Sequence, residues 1–155
     1  MPATKLKEFL DTQQVKYVTI LHSAAYTAQE IAAFAHIRGK ELAKTVMVNL
    51  DGKMAMAVLP ASSRIDMDLL KKAAGAQSIG LATEAGFKSL FPDCETGAMP
   101  PFGNLYGLPV FVDTSLTKDE EIAFNAGAHN ELVRMAYRDF ERLARPTVAD
   151  FSAKP

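Results

Sequence analysis

The chain has one cysteine, no tryptophan and no excess of charge of either sign. A lone Cys94 excludes any disulfide within the chain and gives no hint of an oxidising compartment. Seventeen basic residues against eighteen acidic ones leave a formal net charge of -1. A wholesale basic surface is therefore excluded, and any RNA contact must come from a local basic face. No uncharged apolar run approaches the roughly 18 residues needed to cross a membrane. The start, Met1-Pro2-Ala3-Thr4-Lys5-Leu6-Lys7 with Glu8 and Asp11 soon after, lacks the apolar core of a signal peptide. A cytoplasmic protein without membrane contact is expected. His-Glu-x-x-His and other metal-ligand spacings are missing, as are a P-loop and Gly-x-Ser-x-Gly, so neither metal nor cofactor is expected.

What is present is enough apolar sequence for a core. Of the 155 residues 48% are hydrophobic, and the length suits one domain spanning 1–155. Leu6, Phe9 and Leu10 predict an amphipathic helix over Thr4–Gln14. Tyr17–Leu21 reads as a strand, and Thr27 with Glu30 as the capping box of a helix running toward Gly39, with Ile31, Phe34 and Ala35 inward. Asp51-Gly52 between Thr45–Leu50 and Lys53–Leu59 is a hairpin signal, because both central residues of a type I′ turn take positive φ. Asp66 caps a helix ending at Gly75. Ser78–Leu81 reads as a strand and Thr83–Leu90 as a helix. Further strands are expected at Leu108–Asp113, Glu121–Asn125 and Glu131–Met135, then a helix at Tyr137–Leu143 and a tail from Pro146. Helices that interleave with hairpins favour an α+β domain with a mixed, mostly antiparallel sheet over a doubly wound parallel one.

Several residues suit chemistry. Lys44 stands at the mouth of the first hairpin, where an ammonium can hold a phosphate or polarise a carbonyl, or simply sit solvated at a strand end. Gly97-Ala98-Met99-Pro100-Pro101-Phe102-Gly103 lies in an aperiodic but apolar stretch, Phe91–Gly107, which suits an ordered functional loop. Its glycines permit close approach of a ligand to the backbone, and its prolines hold an extended course. The amides of Ala98, Met99, Phe102 and Gly103 are then candidates for an oxyanion hole, unless the loop merely packs Phe102 into the core. His129, in the turn Asn125-Ala126-Gly127-Ala128-His129-Asn130, is of a type that can orient water or shuttle a proton. His22 follows a strand, and His36 has no evident partner. Cys94 between Asp93 and Glu95 is a poor nucleophile, since acidic neighbours disfavour the thiolate. Basic residues gather as Arg38, Lys40, Lys44 and Lys53, and again as Arg134, Arg138, Arg142 and Arg145.

Tyr26-Thr27-Ala28-Gln29-Glu30, Glu41-Leu42-Ala43-Lys44-Thr45-Val46, Gly97 to Gly103 and Asn125 to His129 follow the order seen in YbaK/EbsC-type proteins. From about Tyr17 to Phe140 the chain resembles this family, whose relatives include the ProX-type deacylases and the editing insertion of bacterial prolyl-tRNA synthetase. The resemblance implies an α+β fold around a barrel-like sheet. It implies hydrolysis of the ester joining a wrong amino acid to tRNA, for example alanine or cysteine on a proline tRNA. By the same resemblance Lys44 and His129 match functional residues. Gly97, Ala98, Met99, Pro100, Pro101, Phe102, Gly103 and Gly127 match substrate-holding positions, and Tyr26 and Thr27 the helix start that lines the amino-acid pocket. The partners implied are the acceptor end of mischarged tRNA and a synthetase. Two other readings fit the same residues: a non-catalytic module binding tRNA or a synthetase, and a hydrolase of some other small ester.

Overall fold

The computed structural model of the chain describes residues 4–22, 30, 41–95 and 97–153. The expected helix from Thr27 toward Gly39, with Tyr26, Thr27 and His36, lies outside the described residues.

Three strands form one sheet: β1 (Tyr17–Leu21), β7 (Glu121–Asn125) and β8 (Glu131–Ala136), in the order β1-β8-β7, all antiparallel. Five form a second: β2 (Ala43–Leu50), β3 (Lys53–Pro60), β5 (Ile79–Leu81), β6 (Val110–Asp113) and β9 (Thr147–Ala149), in the order β5-β2-β3-β6-β9. Strands β2, β3 and β5 pair antiparallel, whereas β3–β6 and β6–β9 are parallel. A two-stranded ribbon joins β4 (Arg64–Ile65) to β10 (Ser152–Ala153). The helices among the described residues are α1 (Thr4–Thr12), α2 (Met67–Ala74), α3 (Glu84–Phe87) and α4 (Tyr137–Ala144); none is long and apolar enough to cross a membrane. The α+β class with a mixed, mostly antiparallel sheet is as expected. The barrel is not closed, because the strands divide into these separate sheets, bridged between Leu42 and Ala123.

Local sequence accounts for much of this. Leu6 and Leu10, four apart, are fully buried on α1. Asp51 and Gly52 take φ values of 53° and 81° at the hairpin tip, as a type I′ turn requires. Asp66 accepts the Leu69 amide at the start of α2. The helix expected at Thr83–Leu90 is only one α-turn, followed by a 3₁₀ turn over Lys88–Leu90.

The main core draws Met47, Met56, Val58 and Val112 from the five-stranded sheet and Ile122, Phe124, Val133 and Met135 from the three-stranded one. Phe102, fully buried, sits among Phe9, Phe124 and Phe140, with ring centroids 6.0, 5.9 and 5.4 Å away. On the opposite face of the five-stranded sheet Val48, Ala55, Ala57 and Leu59 meet Leu70 and Phe151.

The expected tail from Pro146 carries two further strands, β9, paired with β6, and β10. Asp113, which is 3% exposed, holds the segment beyond β9. Its carboxylate accepts the amides of Phe151 and Ser152 at 2.9 Å each, the Ser152 hydroxyl at 2.9 Å, the Ser115 amide at 3.1 Å and the Ser115 hydroxyl. Burial alone would raise this carboxyl, but those hydrogen bonds outweigh it and hold it below its ordinary value. A carboxylate depressed in the folded state stabilises the fold above the unfolded-state value, about 3.9, and that contribution is lost as pH falls through the folded value. We predict that Asp113→Asn costs roughly 2–4 kcal/mol in urea unfolding at neutral pH, and that the deficit shrinks below about pH 4. An equal deficit at pH 3 and pH 7 would contradict this.

Candidate active site

Two loops are tied edge to edge. In the turn between β7 and β8, Gly127 accepts the Glu95 amide at 2.7 Å and donates its own amide to Ala98 O at 2.8 Å. The Glu95 carboxylate accepts the backbone amide of His129 at 2.6 Å. These bonds lay the imidazole over Gly97, where a Cβ would sit 3.5 Å from His129 Cε1. Gly97 has φ 86°, a conformation that a side chain would strain. His129 and Gly97 are both exposed, so this junction faces solvent.

Lys44 reaches the same level from the second sheet. The parallel bridge between Leu42 and Ala123 sets β2 beside β7. Two residues further along each strand stand Lys44 and Asn125, and the turn bearing Gly127 and His129 follows directly. Side chains alternate along a strand. Ala43 and Met47 enter the main core, so Lys44 shares the other face with Leu42 and Val46. Half-burial there lowers the Lys44 ammonium from its usual pKa by desolvation, which marks a cation partly withdrawn from water.

The profile of the aminoacyl-tRNA editing domain family matches residues 22–143 of this chain. The chain belongs to that family. With membership comes the class of activity, hydrolysis of aminoacyl-tRNA. The chain is 28% identical over 155 residues to the multifunctional Ser/Thr-tRNA deacylase ProXp-y of Escherichia coli K12, covering 95% of this chain and 90% of the relative. In fold it is similar to a crystal structure described as a proposed trans-editing enzyme for prolyl-tRNA synthetase, with a TM-score of 0.84, 21% identity and coverage of 97% and 96% of the two chains. It is also similar to a hypothetical protein of known structure, with a TM-score of 0.83, 21% identity and coverage of 96% and 99%.

Within this editing domain the Gly97–Gly103 loop divides in two. Gly97 is exposed, whereas Ala98, Met99, Pro100, Pro101, Phe102 and Gly103 are all buried, with Met99 and Phe102 in the main core. Gly103 answers to packing: a Cβ there would lie 2.5 Å from Leu108 O and 2.7 Å from Val110 Cγ2. The Ala98 amide is not available for an oxyanion, because it donates to Glu95 O at 3.0 Å. The amides of Met99, Phe102 and Gly103 meet no acceptor among the described residues.

Other candidates fall away from this junction. Cys94 lies near Tyr106 Oη and Asp93, each at 3.7 Å; chiefly through burial its thiol is pushed up to about 11, which makes it inert at neutral pH. His22 is buried at the end of β1, its amide held by Asn130 O at 2.9 Å. Among the described residues no group of three or more His, Cys, Asp or Glu side chains is placed to hold a metal. A cavity of about 650 Å³ opens at the opposite ends of β7 and β8, lined by Asp119, Glu120, Glu121, Glu141 and Arg138 among others. Arg142 faces Asp139 at 3.4 Å. The basic face expected on the final helix is thus interleaved with carboxylates.

Glu95 went unnoticed in the sequence, since a lone acid in an acidic stretch carries no spacing signal. Geometry makes it the residue that holds His129. We predict that Glu95→Ala lowers kcat/KM for deacylation by about tenfold or more, corresponding to one lost charge-assisted hydrogen bond, while Glu95→Gln, which keeps an acceptor, retains most activity. Equal losses in the two variants would refute the positioning role.

Proposed function

We propose that the chain acts in trans, as a single cytoplasmic editing domain, on the acceptor end of a tRNA charged with a wrong small amino acid. Serine, threonine, alanine and cysteine are the candidates. The observation that carries this reading is the junction of His129, Gly97 and the Lys44 strand end. The imidazole lies against exposed backbone at Gly97, and the Leu42–Ala123 bridge sets the Lys44 strand end beside the strand that leads into that turn.

The chemistry needed is modest. A synthetase discriminates poorly against side chains smaller than its own, since a missing methylene is worth only about 1–3 kcal/mol. A separate site that rejects the larger, correct residue repairs the error. The aminoacyl ester is already reactive, so no covalent enzyme intermediate is required. In our reading His129 accepts a proton from water as its oxygen attacks the ester carbonyl, and returns it to the ribose oxygen as the carbonyl–oxygen bond breaks. The products are the free amino acid and a tRNA with its terminal hydroxyl restored. The Met99 amide, two residues beyond Gly97, is suited to the developing oxyanion; one such donor is typically worth about 2.7–4 kcal/mol. Lys44, as a protonated ammonium, anchors the terminal phosphate or the carbonyl rather than serving as base. By the family resemblance, Tyr26 and Thr27 are the proposed contacts of the amino-acid side chain. A synthetase partner would suit a chain whose net charge is slightly negative.

The test is deacylation of a panel of mischarged tRNAs. We expect Lys44→Ala to lower kcat/KM by about 10²-fold in a protein of unchanged thermal midpoint. The pH dependence follows from the sign of the Lys44 shift. Its working form is the cation, so enzymatic turnover above the spontaneous rate falls as pH rises, with a midpoint below the ordinary lysine value of about 10.4. In Lys44→Arg that alkaline limb moves upward. Full activity of Lys44→Ala on every substrate that the wild type hydrolyses would end this reading of Lys44.

A further inference from the structure

Arg134 stands apart from the arginines of the final helix. It lies in β8, the central strand of the three-stranded sheet, opposite Val18 on β1 and Ala123 on β7. Its neighbours Val133 and Met135 enter the main core, and Leu132 joins the cluster with Leu42 and Ala123. By alternation Arg134 therefore shares the face that carries Leu42 and Lys44. One row runs Val18, Arg134, Ala123, Leu42; the next runs Ile20, Leu132, Asn125, Lys44. Arg134 and Lys44 are two strands and one row apart, roughly 12 Å between Cα atoms on ordinary sheet spacings. Leu132, Ala123 and Leu42 between them are buried, and both side chains are long enough to reach past this cluster toward one extended anion.

Arg134 is half-buried, and among the described residues one of its nitrogens lacks a partner. Its Nε is buried with no hydrogen-bond acceptor, and the side chain forms no ion pair among the described residues. The nearby acids do not supply one. Glu131 is on the other face and pairs with Lys7 at 2.5 Å. Glu121, one row away on β7, is exposed and makes no ion pair with it. An arginine nitrogen withdrawn from water and left without an acceptor costs free energy. Nucleic-acid phosphate restores that loss, because the guanidinium fork binds two of its oxygens at once.

We propose that Arg134 is a phosphate-binding residue of the site, holding the sugar–phosphate strand just upstream of the nucleotide that Lys44 and His129 engage. The inference rests on the reading of the chain as an enzyme acting on tRNA, and it names the second anchor of that substrate. One anchor leaves a single strand free to pivot; two fix its direction.

The experiment measures equilibrium binding of an uncharged hairpin RNA with a single-stranded CCA end over a salt series, for wild type, Arg134→Gln and Arg134→Lys, alongside deacylation of mischarged tRNA. Arg134→Gln should weaken binding about tenfold at low salt and reduce the slope of log K against log salt by about one. Arg134→Lys should keep the slope but bind more weakly than wild type, because it retains charge and loses the fork. In deacylation the glutamine variant should raise KM with little change in kcat. A glutamine variant with wild-type affinity and slope, or a wild type that shows no salt-dependent binding, overturns the proposal. Arg134-dependent RNA binding by a wild type that hydrolyses no mischarged tRNA would instead uphold Arg134 and refute the enzymatic reading.

Discussion

The site depends on the burial of Phe102. Its ring fills the space among Phe9, Phe124 and Phe140, and truncating such a residue typically costs about 3–5 kcal/mol. That depth anchors one end of an otherwise irregular loop. Pro100 and Pro101 then allow little slack, and Gly103 lets the chain pass within contact of Leu108 O on its way into β6. With that end fixed, the other end is free only to lie along the β7–β8 turn, where Glu95, Ala98 and Gly127 exchange hydrogen bonds. A hydrophobic anchor thus sets the position of a polar edge, and the loop acts through its rigid backbone more than through its side chains.

Charge follows the same polarity. Lys44 stands at the strand end beside the turn that bears His129, whereas Asp119, Glu120, Glu121 and Glu141 gather, with Arg138, around the cavity at the far ends of β7 and β8. Overall neutrality conceals this separation. An acidic cluster at one end disfavours a polyanion there, so a local arrangement of charge can orient an encounter that net charge alone would not favour.

Much of the fold was legible because it is written locally. The Asp51-Gly52 hairpin, the Asp66 cap and the alternation in β7 and β8 each need only neighbouring residues. What escaped was long-range. The parallel placing of β6 between β3 and β9 has no local signature, and the ordering of residues 147–153 depends on a carboxylate 38 residues before Phe151. At the site, Lys44, Gly97 and His129 stood out by residue type and by resemblance. Arg134 stood out only as one of a group of arginines and Glu95 only as an acidic neighbour of Cys94, since their meaning lies in which strand or loop lies opposite them. Phe102 was ambiguous in sequence, and its rings resolve its side chain to the core.

The Asp113 clasp also decides whether one edge of the larger sheet is open. Its amide donors lie 38 and 39 residues further along the chain, just beyond the strand β9 that pairs with β6. When the clasp is released and β9 leaves with it, β6 keeps an open edge, the kind of exposed ladder that recruits neighbouring chains. Closing that edge from within the same molecule makes one buried carboxylate a guard against self-association.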